Sequence, residues 1–501
     1  MNVVDVLGPG FPYLSTITFA PFVGAILIIL APRRSPWVIR WIAALVSAVS
    51  LVLSLVVMAG YDWGKGGFQF QELYDWIPEL GITVRFGVDG ISSPMVLLTG
   101  LVIFTGSLIS WKIADRPKEY FALLLVLVTG VFGVFVSLDL FALFFAYEIA
   151  VLPMYLLIAV WGSTRKDYAA MKLTMMLVAG SILIWVVMLA VFVQTGAKTF
   201  DIETFASPAM QRLLPTAFQV LFFPMAFIGF GVLAGMWPFH TWSPDGHVAA
   251  PTAVSMLHAG VLMKLGAYGC IRIALWVLPE GARFWSPLFI TFGTIAAVYG
   301  AFSAMAQRDL KFVIGYSSVS HMGYVIVGIS TLSLMGLSGA VLQMFSHGIM
   351  TALFFALVGA IYDQAHTREI GIFGGLARTM PWFVGFFSVA GLASLGLPGL
   401  SGFVAELMIF LGAFQTYPLV GVLCVAAVAV TATYVLRLMA RAFFGPFNPR
   451  WGWLHDMLPN EWVGGLILVV TLFVVGMYPT PFTNMIQASA APIIDQLGGV
   501  K

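Results

Sequence analysis

Long apolar segments recur along the chain and are separated by short gaps rich in polar residues, Gly and Pro. A helix that crosses a bilayer needs about 20 mostly apolar residues, since each residue adds about 1.5 Å to a hydrocarbon path of about 30 Å. Fourteen segments meet this requirement, near 15–32, 37–59, 91–111, 118–137, 140–160, 171–193, 218–240, 252–277, 284–306, 310–331, 334–362, 383–411, 418–443 and 460–478. The longest gap, 60–90, is acidic and aromatic and is expected to lie on the membrane surface. The pattern predicts an all-α polytopic membrane protein.

The composition excludes a water-soluble fold. Of the 501 residues, 60% are hydrophobic and 9% are charged, whereas soluble proteins carry about 25% charged residues. The bilayer must therefore be the solvent for most of the chain. The net charge of +2 gives no reason to expect a nucleic-acid partner. Cys270 and Cys424 are too few for a disulfide framework or an iron–sulfur site.

Lys and Arg are concentrated in alternate gaps, which predicts the orientation because cytoplasmic loops are enriched in these residues. Sixteen of them fall on the inner side if the N-terminus is outside: Arg33, Arg34, Arg40, Lys112, Arg116, Lys118, Arg165, Lys166, Lys172, Arg308, Lys311, Arg368, Arg378, Arg437, Arg441 and Arg450. Seven fall on the outer side: Lys65, Arg85, Lys198, Arg212, Arg272, Arg283 and Lys501. This asymmetry predicts that the N- and C-termini both lie outside.

Two of the apolar segments contain helix breakers. One carries Gly235 and Pro238, and the other carries Gly396, Pro398 and Gly399. Paired breaks in corresponding halves of a membrane protein indicate repeated, often inverted, transporter halves. A single break would more simply reflect the tolerance of membrane helices for Pro and Gly.

Five ionisable residues are predicted to lie deep in the membrane. Glu148, Lys264, His321 and His347 lie about 14 to 20 Å along their helices, and Glu406 lies within the second broken helix. A charge at the bilayer centre costs at least about 2.5–3.5 kcal/mol. A lone buried His or Glu is often only a hydrogen-bonding group, but a set at one depth on different helices is what a proton path in the membrane plane requires.

The residue types suit proton transfer. Burial disfavours the charged form of both acids and bases, so carboxylate and lysine side chains there can load and release protons, and histidine does so near neutral pH. His240 and His247 are close enough in sequence to suggest a metal site. No Cys or second carboxylate supports one, so no metal site is predicted.

Several motifs resemble those of one family, the antiporter-like membrane subunits of respiratory complex I (NADH:quinone oxidoreductase), and among these the chain M, or chain 4, type. The similar segments are Phe86 to Ser92, Phe239 to Trp242, Pro244 to His247, Ala250 to Thr252, Lys264 to Gly269, Asp309 to Lys311, Tyr316 to Gly323, His366 to Ile370, Gly374 to Leu376, and Leu397 to Glu406. They span nearly the whole chain. The motifs are very specific to the antiporter-like superfamily and only moderately specific in separating the chain 4 type from its Mrp-type antiporter relatives.

The resemblance implies about fourteen helices, two inverted five-helix repeats that each contain a broken helix, and a central hydrophilic axis. It implies that Glu148 is the acid of the fifth helix, Lys264 the lysine of the eighth and Glu406 the terminal group of the twelfth. His321 and His347 match polar members of the axis between them.

The implied division of the chain is 1–112 for N-terminal helices 1–3, 113–278 for the first repeat (helices 4–8), 279–445 for the second repeat (helices 9–13), and 446–501 for helix 14 and the tail. The expected partners are lipid, protons and other membrane-arm subunits, including further antiporter-like chains. No cofactor is expected in this chain, because flavin, iron–sulfur clusters and quinone would belong to other subunits. The expected location is the bacterial inner membrane.

One position departs from the family pattern. The family usually has a lysine on helix seven beside the fifth-helix acid, and the alignment places Leu233 in that slot. His258 lies six residues before Lys264 and is the candidate to replace the missing cation and reach Glu148 through water.

Three functions remain open from the sequence. The first is a proton-pumping complex I subunit, the second a cation/proton antiporter or hydrogenase-associated subunit, and the third a scaffold without transport. The costly buried charges disfavour the scaffold.

Overall fold

The computed structural model describes residues 10–33 and 35–498. Two of the basic residues used to predict the orientation, Arg34 and Lys501, lie outside these ranges. The α-helices are α1 (Tyr13–Leu30), α2 (Pro36–Gly60), α3 (Ser92–Ile109), α4 (Pro117–Val136), α5 (Leu140–Trp161), α6 (Lys166–Thr195), α7 (Ile202–Ala206), α8 (Pro208–Gln211), α9 (Thr216–Ala234), α10 (Trp242–Ala249), α11 (Thr252–Leu257), α12 (Met263–Gly269), α13 (Pro279–Ala306), α14 (Leu310–Ser330), α15 (Leu334–Ala365), α16 (Pro381–Ser394), α17 (Ser401–Thr416), α18 (Pro418–Ala442), α19 (Pro459–Met477) and α20 (Thr480–Leu497). Short 3₁₀ turns lie at Pro78–Leu80, Ser110–Lys112, Ile370–Ile372, Leu376–Arg378 and Pro449–Trp451.

Thirteen helices in the described residues are long and apolar enough to cross a membrane. One of them, Thr252–Leu275, is continuous through α11, α12 and two π-helical turns, His258–Leu262 and Cys270–Leu275. The remaining predicted segment, 383–411, is formed by two shorter apolar helices, α16 and α17. The prediction of about fourteen crossings in an all-α membrane protein is confirmed.

Both predicted breaks are present. The predicted segment 218–240 stops at Ala234, because Gly235 adopts a φ of +73° and Pro238 cannot donate a helical hydrogen bond, and helix resumes with α10. Between α16 and α17, Gly396 has a φ of +70° and Gly399 a φ of +93°. These left-handed conformations favour glycine because it has no Cβ.

The broken helices belong to two repeats of opposite direction. Asp139 caps the start of α5 and Asp309 caps the start of α14, each by accepting from backbone N–H groups of the first turn. Each also forms an isolated β-bridge with the chain that follows the next helix, to Asp201 and Glu369 respectively. Because α5 is the fifth crossing and α14 the tenth, the two motifs lie on opposite sides of the membrane.

The predicted surface segment 60–90 contains a β-hairpin, β1 (Gln69–Ile77) paired antiparallel with β2 (Ile82–Val88). Arg85 of β2 forms ion pairs of 2.6 Å with Asp201 and with Glu203, which attach the hairpin to the chain after α6. We call this side of the molecule the hairpin face. The opposite side, which carries Lys112, Lys166 and Arg308, is called the basic face. The terminal helix α20 lies on the hairpin face and was not predicted.

A buried ion pair connects the hairpin face to the helix that carries Lys264. Arg272, in the second π-helical turn, contacts the carboxylate of Asp89, and both side chains are almost fully buried. The guanidinium also lies over the rings of Phe68, Tyr268 and Trp276, at 5.2, 5.2 and 5.6 Å. Asp89 additionally accepts from backbone N–H groups at the start of α3. The sequence had placed Arg272 only among the outer-side residues.

Asp89→Asn is expected to destabilise the protein by about 3–5 kcal/mol, the usual effect of leaving one member of a buried ion pair without its partner. The asparagine amide keeps an oxygen that can cap α3. The lost stability therefore measures the contribution of the negative charge that pairs with Arg272. Unfolding of the detergent-solubilised protein measures the change. Arg33→Ala is the control, because Arg33 is 80% exposed and its pair with Glu119 should contribute less than about 1 kcal/mol. Equal stability of the two variants would contradict the assignment.

Candidate functional site

Lys264 lies at the centre of the bundle and is fully buried. Its Nζ donates to the carbonyl of Ala259 and lies 2.7 Å from Nδ1 of His347. Ala259 belongs to the first π-helical turn, a local widening of the helix that is frequent at functional sites. Among the described residues Lys264 has no carboxylate in ion-pair distance, so an imidazole and a carbonyl are its polar neighbours.

Two histidines continue from Lys264 towards the second broken helix. The rings of His347 and His321 are stacked with centroids 5.2 Å apart. Nδ1 of His321 lies 2.8 Å from the Ser317 carbonyl, and Nε2 lies 3.0 Å from the Ser394 carbonyl. A neutral imidazole has one N–H and can donate to one of these carbonyls, whereas an imidazolium can donate to both. The position therefore accommodates a proton that arrives.

Glu406 ends this series. Its Oε1 is 3.6 Å from Nε2 of His321 and accepts a hydrogen bond of 3.3 Å from Gln343. A Cβ on Gly396 would lie 2.7 Å from the other carboxylate oxygen. The break between α16 and α17 thus gives the carboxylate its space. We call Lys264, His347, His321 and Glu406 the central row; each is at most 3% exposed.

His258 contacts a second buried histidine. Its ring lies 4.4 Å from that of His247 and is stacked on Trp242 at 4.9 Å. Neither ring nitrogen of His258 has a hydrogen-bond partner among the described residues. His247, which the sequence suggested only as a weak metal candidate beside His240, lies on α10, whereas His240 packs on the ring of Tyr299.

Glu148 lies apart from the central row. It is partly buried on α5 beside Ser181 of α6, and one carboxylate oxygen is buried without a hydrogen-bond partner among the described residues. Leu233 is fully buried near the end of α9, which contacts α6 through Gly229 and Gly180. The structure thus places an apolar side chain in the predicted lysine slot, while His258 faces His247 and Trp242.

Lys311 is a buried cation that the sequence placed in a loop. Its Nζ donates to the carbonyl of Ala250 at 2.7 Å and to the hydroxyl of Ser255 at 3.3 Å. Ser255 in turn donates to the carbonyl of His247. The position of Lys311 just after a helix cap gave no signal of burial, which arises from the packing of α10 and α11 against α14.

The central row can exchange protons laterally. It consists of three basic side chains followed by one acidic side chain. Neighbouring members are joined by a 2.7 Å polar contact, by ring stacking and by a 3.6 Å nitrogen–oxygen contact. Each can exist with and without its proton, so a proton gained at one member changes the electrostatic balance at the next. The fold and this row define a class: polytopic membrane proteins built from two inverted helix repeats that bury a line of ionisable groups.

The chain belongs to the NADH:quinone oxidoreductase/Mrp antiporter transmembrane family, whose model matches residues 137–431. It is 36% identical to NAD(P)H-quinone oxidoreductase chain 4 of Acaryochloris marina (strain MBIC 11017), over 97% of this chain and 92% of that protein. It is 37% identical to NAD(P)H-quinone oxidoreductase chain 4 1 of Synechococcus sp. (strain JA-3-3Ab), over 97% and 94%. The predicted resemblance to the chain 4 type is confirmed.

Solved structures of complex I and of an Mrp complex contain chains with the same fold. A chain of respiratory complex I from Thermus thermophilus with bound NADH has a TM-score of 0.89 and 26% identity, with 97% of this chain and 100% of that chain covered. A chain of the Mrp complex from Dietzia sp. DQ12-45-1b has a TM-score of 0.85, with 96% and 97% covered, and at 19% identity it shows the shared fold alone.

Proposed function

We propose that the chain is a proton-translocating subunit of the membrane arm of complex I, in which electron transfer by other subunits drives protons along the central row. One observation carries this proposal: Lys264, His347, His321 and Glu406 form a continuous buried series between the two repeats. Burying such groups is costly in a membrane, and transport explains why they are placed together.

The chain acts in this proposal as a non-redox part of an enzyme complex. Flavin, iron–sulfur clusters and quinone are held by partner subunits, and further antiporter-like chains lie beside this one. The membrane is the bacterial inner membrane, with the hairpin face outside and the basic face in the cytoplasm, because the basic residues of the described chain concentrate on that face.

A cation/proton antiporter is the second candidate function, because the matching family model includes both classes and the Mrp chain has the same fold. A membrane-bound hydrogenase subunit is a related possibility. Purification of the chain, tagged on its natural gene and extracted in mild detergent, separates them. Copurifying flavin and iron–sulfur proteins with quinone reductase activity support complex I. Cation-dependent proton exchange without redox subunits would support the antiporter and contradict the proposal.

His258→Ala is expected to lower proton pumping several-fold if His258 replaces the missing helix-seven lysine. Adding Leu233→Lys should recover part of the loss, because it restores a titratable amine in the usual slot. Proton uptake by membrane vesicles, normalised to assembled complex, measures both. His455→Ala, an exposed histidine on the basic face, is the control. Unchanged pumping in His258→Ala would remove His258 from the mechanism.

A further inference from the structure

A large cavity opens on the basic face between α14 and α18. Its volume is about 520 Å³, and polar side chains form much of its wall, among them Arg308, Glu369, Arg437 and Arg441. Its lining also includes Val313, Leu438 and Tyr434. None of the residues of the central row lines this cavity, and Glu148 does not line it either.

Next to Val313, Leu438 and Tyr434, polar side chains form a cluster in an otherwise apolar helix interface. A second, small void of about 10 Å³ lies there, lined by Tyr434, Ser317 and Ser394 together with Val313 and Leu438. This volume is close to what one water molecule requires. Tyr434 lines both cavities, and it is only 5% exposed.

The hydroxyl groups in this cluster lead directly to the central row. The hydroxyl of Tyr434 donates to Oγ of Ser317 at 2.9 Å, and that Oγ lies 3.3 Å from Nδ1 of His321. The other ring nitrogen of His321 faces Glu406. Hydrogen-bonding groups therefore connect Tyr434, a side chain in the wall of the basic-face cavity, to the middle of the row.

We propose that this cavity is a proton-access site, from which protons reach His321 through the hydroxyls of Tyr434 and Ser317. The inference rests on the proposed function and adds the point at which the second repeat takes up protons. It makes His321 a junction: protons reach it from the basic face through Ser317 as well as along the row from Lys264.

The transfer balances without any change in charge on the hydroxyls. Tyr434 accepts a proton from a hydronium ion in the cavity, which leaves as water, and passes its own proton to Ser317. Ser317 passes its proton to Nδ1 of His321, which is free to accept when the neutral ring carries its hydrogen on Nε2. The new N–H can then donate to the Ser317 carbonyl, and the Nε2 proton can leave towards Glu406.

The lining suits protons rather than metal ions. Glu369 is the acidic side chain among the lining residues and can exchange protons with bulk water. A metal ion cannot pass along a chain of hydroxyl groups, whereas a proton can.

Tyr434→Phe tests the proposal, because it removes the hydroxyl and keeps the ring that fills the interface. We expect the number of protons pumped per electron pair in the intact complex to fall at least by half. Ser317→Ala should give a similar loss. The double variant should lose no more than the stronger single variant, because both interrupt one route.

Tyr324→Phe is the matched control. Tyr324 also packs edge-on against His321, with centroids 5.8 Å apart, but its hydroxyl points to the carbonyl of Cys424 and it lines neither cavity.

Normal pumping in assembled Tyr434→Phe, or losses that add up in the double variant, would overturn the route. If Tyr434→Phe fails to assemble, Ser317→Ala gives the decision. Loss of pumping in Lys264→Ala with normal pumping in both hydroxyl variants refutes this route alone, whereas normal pumping in Lys264→Ala refutes the proposed function itself.

Discussion

Glu406→Gln should assemble normally and reduce proton pumping by roughly 10²-fold, to the background leak, since removal of a positioned acid or base typically has an effect of this size. The amide has the shape of the carboxylate and can still accept the hydrogen bond from Gln343. It cannot take a proton from His321, 3.6 Å away. The terminal member of the central row is therefore lost while the packing around Gly396 is retained.

The measurement is acidification of inverted membrane vesicles during quinone reduction, divided by the amount of assembled complex. Glu280→Gln is the matched control, because Glu280 lies on the hairpin face and is 41% exposed. It should pump as the unaltered protein does. Pumping at the unaltered ratio by Glu406→Gln would show that this carboxylate does not carry the proton.

Lys264→Ala should lower the number of protons pumped per electron pair at least by half, because it removes the route along the row and leaves the entry through Tyr434 and Ser317. The substitution removes the first member of the central row and leaves Nδ1 of His347 without the amine that now lies 2.7 Å away. The protein should still fold, because Lys264 has no ion-pair partner among the described residues and its loss strands no opposite charge. Vesicle acidification measures the effect, and Lys198→Ala, an exposed lysine, is the control. Pumping at the unaltered ratio by Lys264→Ala would contradict the proposed path.

The crossings, the two breaks and the burial of the four central-row residues within the bundle could all be predicted from the sequence. Each has a strong physical signal in a bilayer: an apolar run must match the membrane thickness, and a charge placed within it is costly. Gly235 and Gly396 interrupt their segments where left-handed backbone requires glycine. The resemblance to the chain 4 type rested on motifs that include Lys264, His321 and Glu406.

The contacts between helices could not be predicted in the same way. Nothing in the spacing of His258 showed that its ring contacts His247 and Trp242, because lateral neighbours are set by the packing of helices far apart in sequence. Lys311 resembled an ordinary loop lysine beside the Asp309 cap, and its burial depends on α10 and α11. The sequence contained no sign that the hydroxyl of Tyr434 donates to Ser317, because this contact depends on the packing of α18 against α14.

Two elements were missed for local reasons. The hairpin of residues 69–88 contains register shifts between Gln69 and Glu72 and between Asp75 and Ile77, so its strands lack a regular alternation of polar and apolar residues. Helix α20 is too polar to be recognised as a membrane segment, and Pro492 lies within it. It packs on the hairpin face through one apolar side.

The proton-to-electron ratio of complex carrying Lys264→Arg tests the central claim most directly. Arginine keeps a positive charge on the buried helix but does not release its proton at working pH. If Lys264 carries protons, assembled Lys264→Arg should pump no better than Lys264→Ala, although quinone reduction can continue. A ratio equal to that of the unaltered protein would show that only a fixed charge is needed there, and it would contradict proton transfer along the central row.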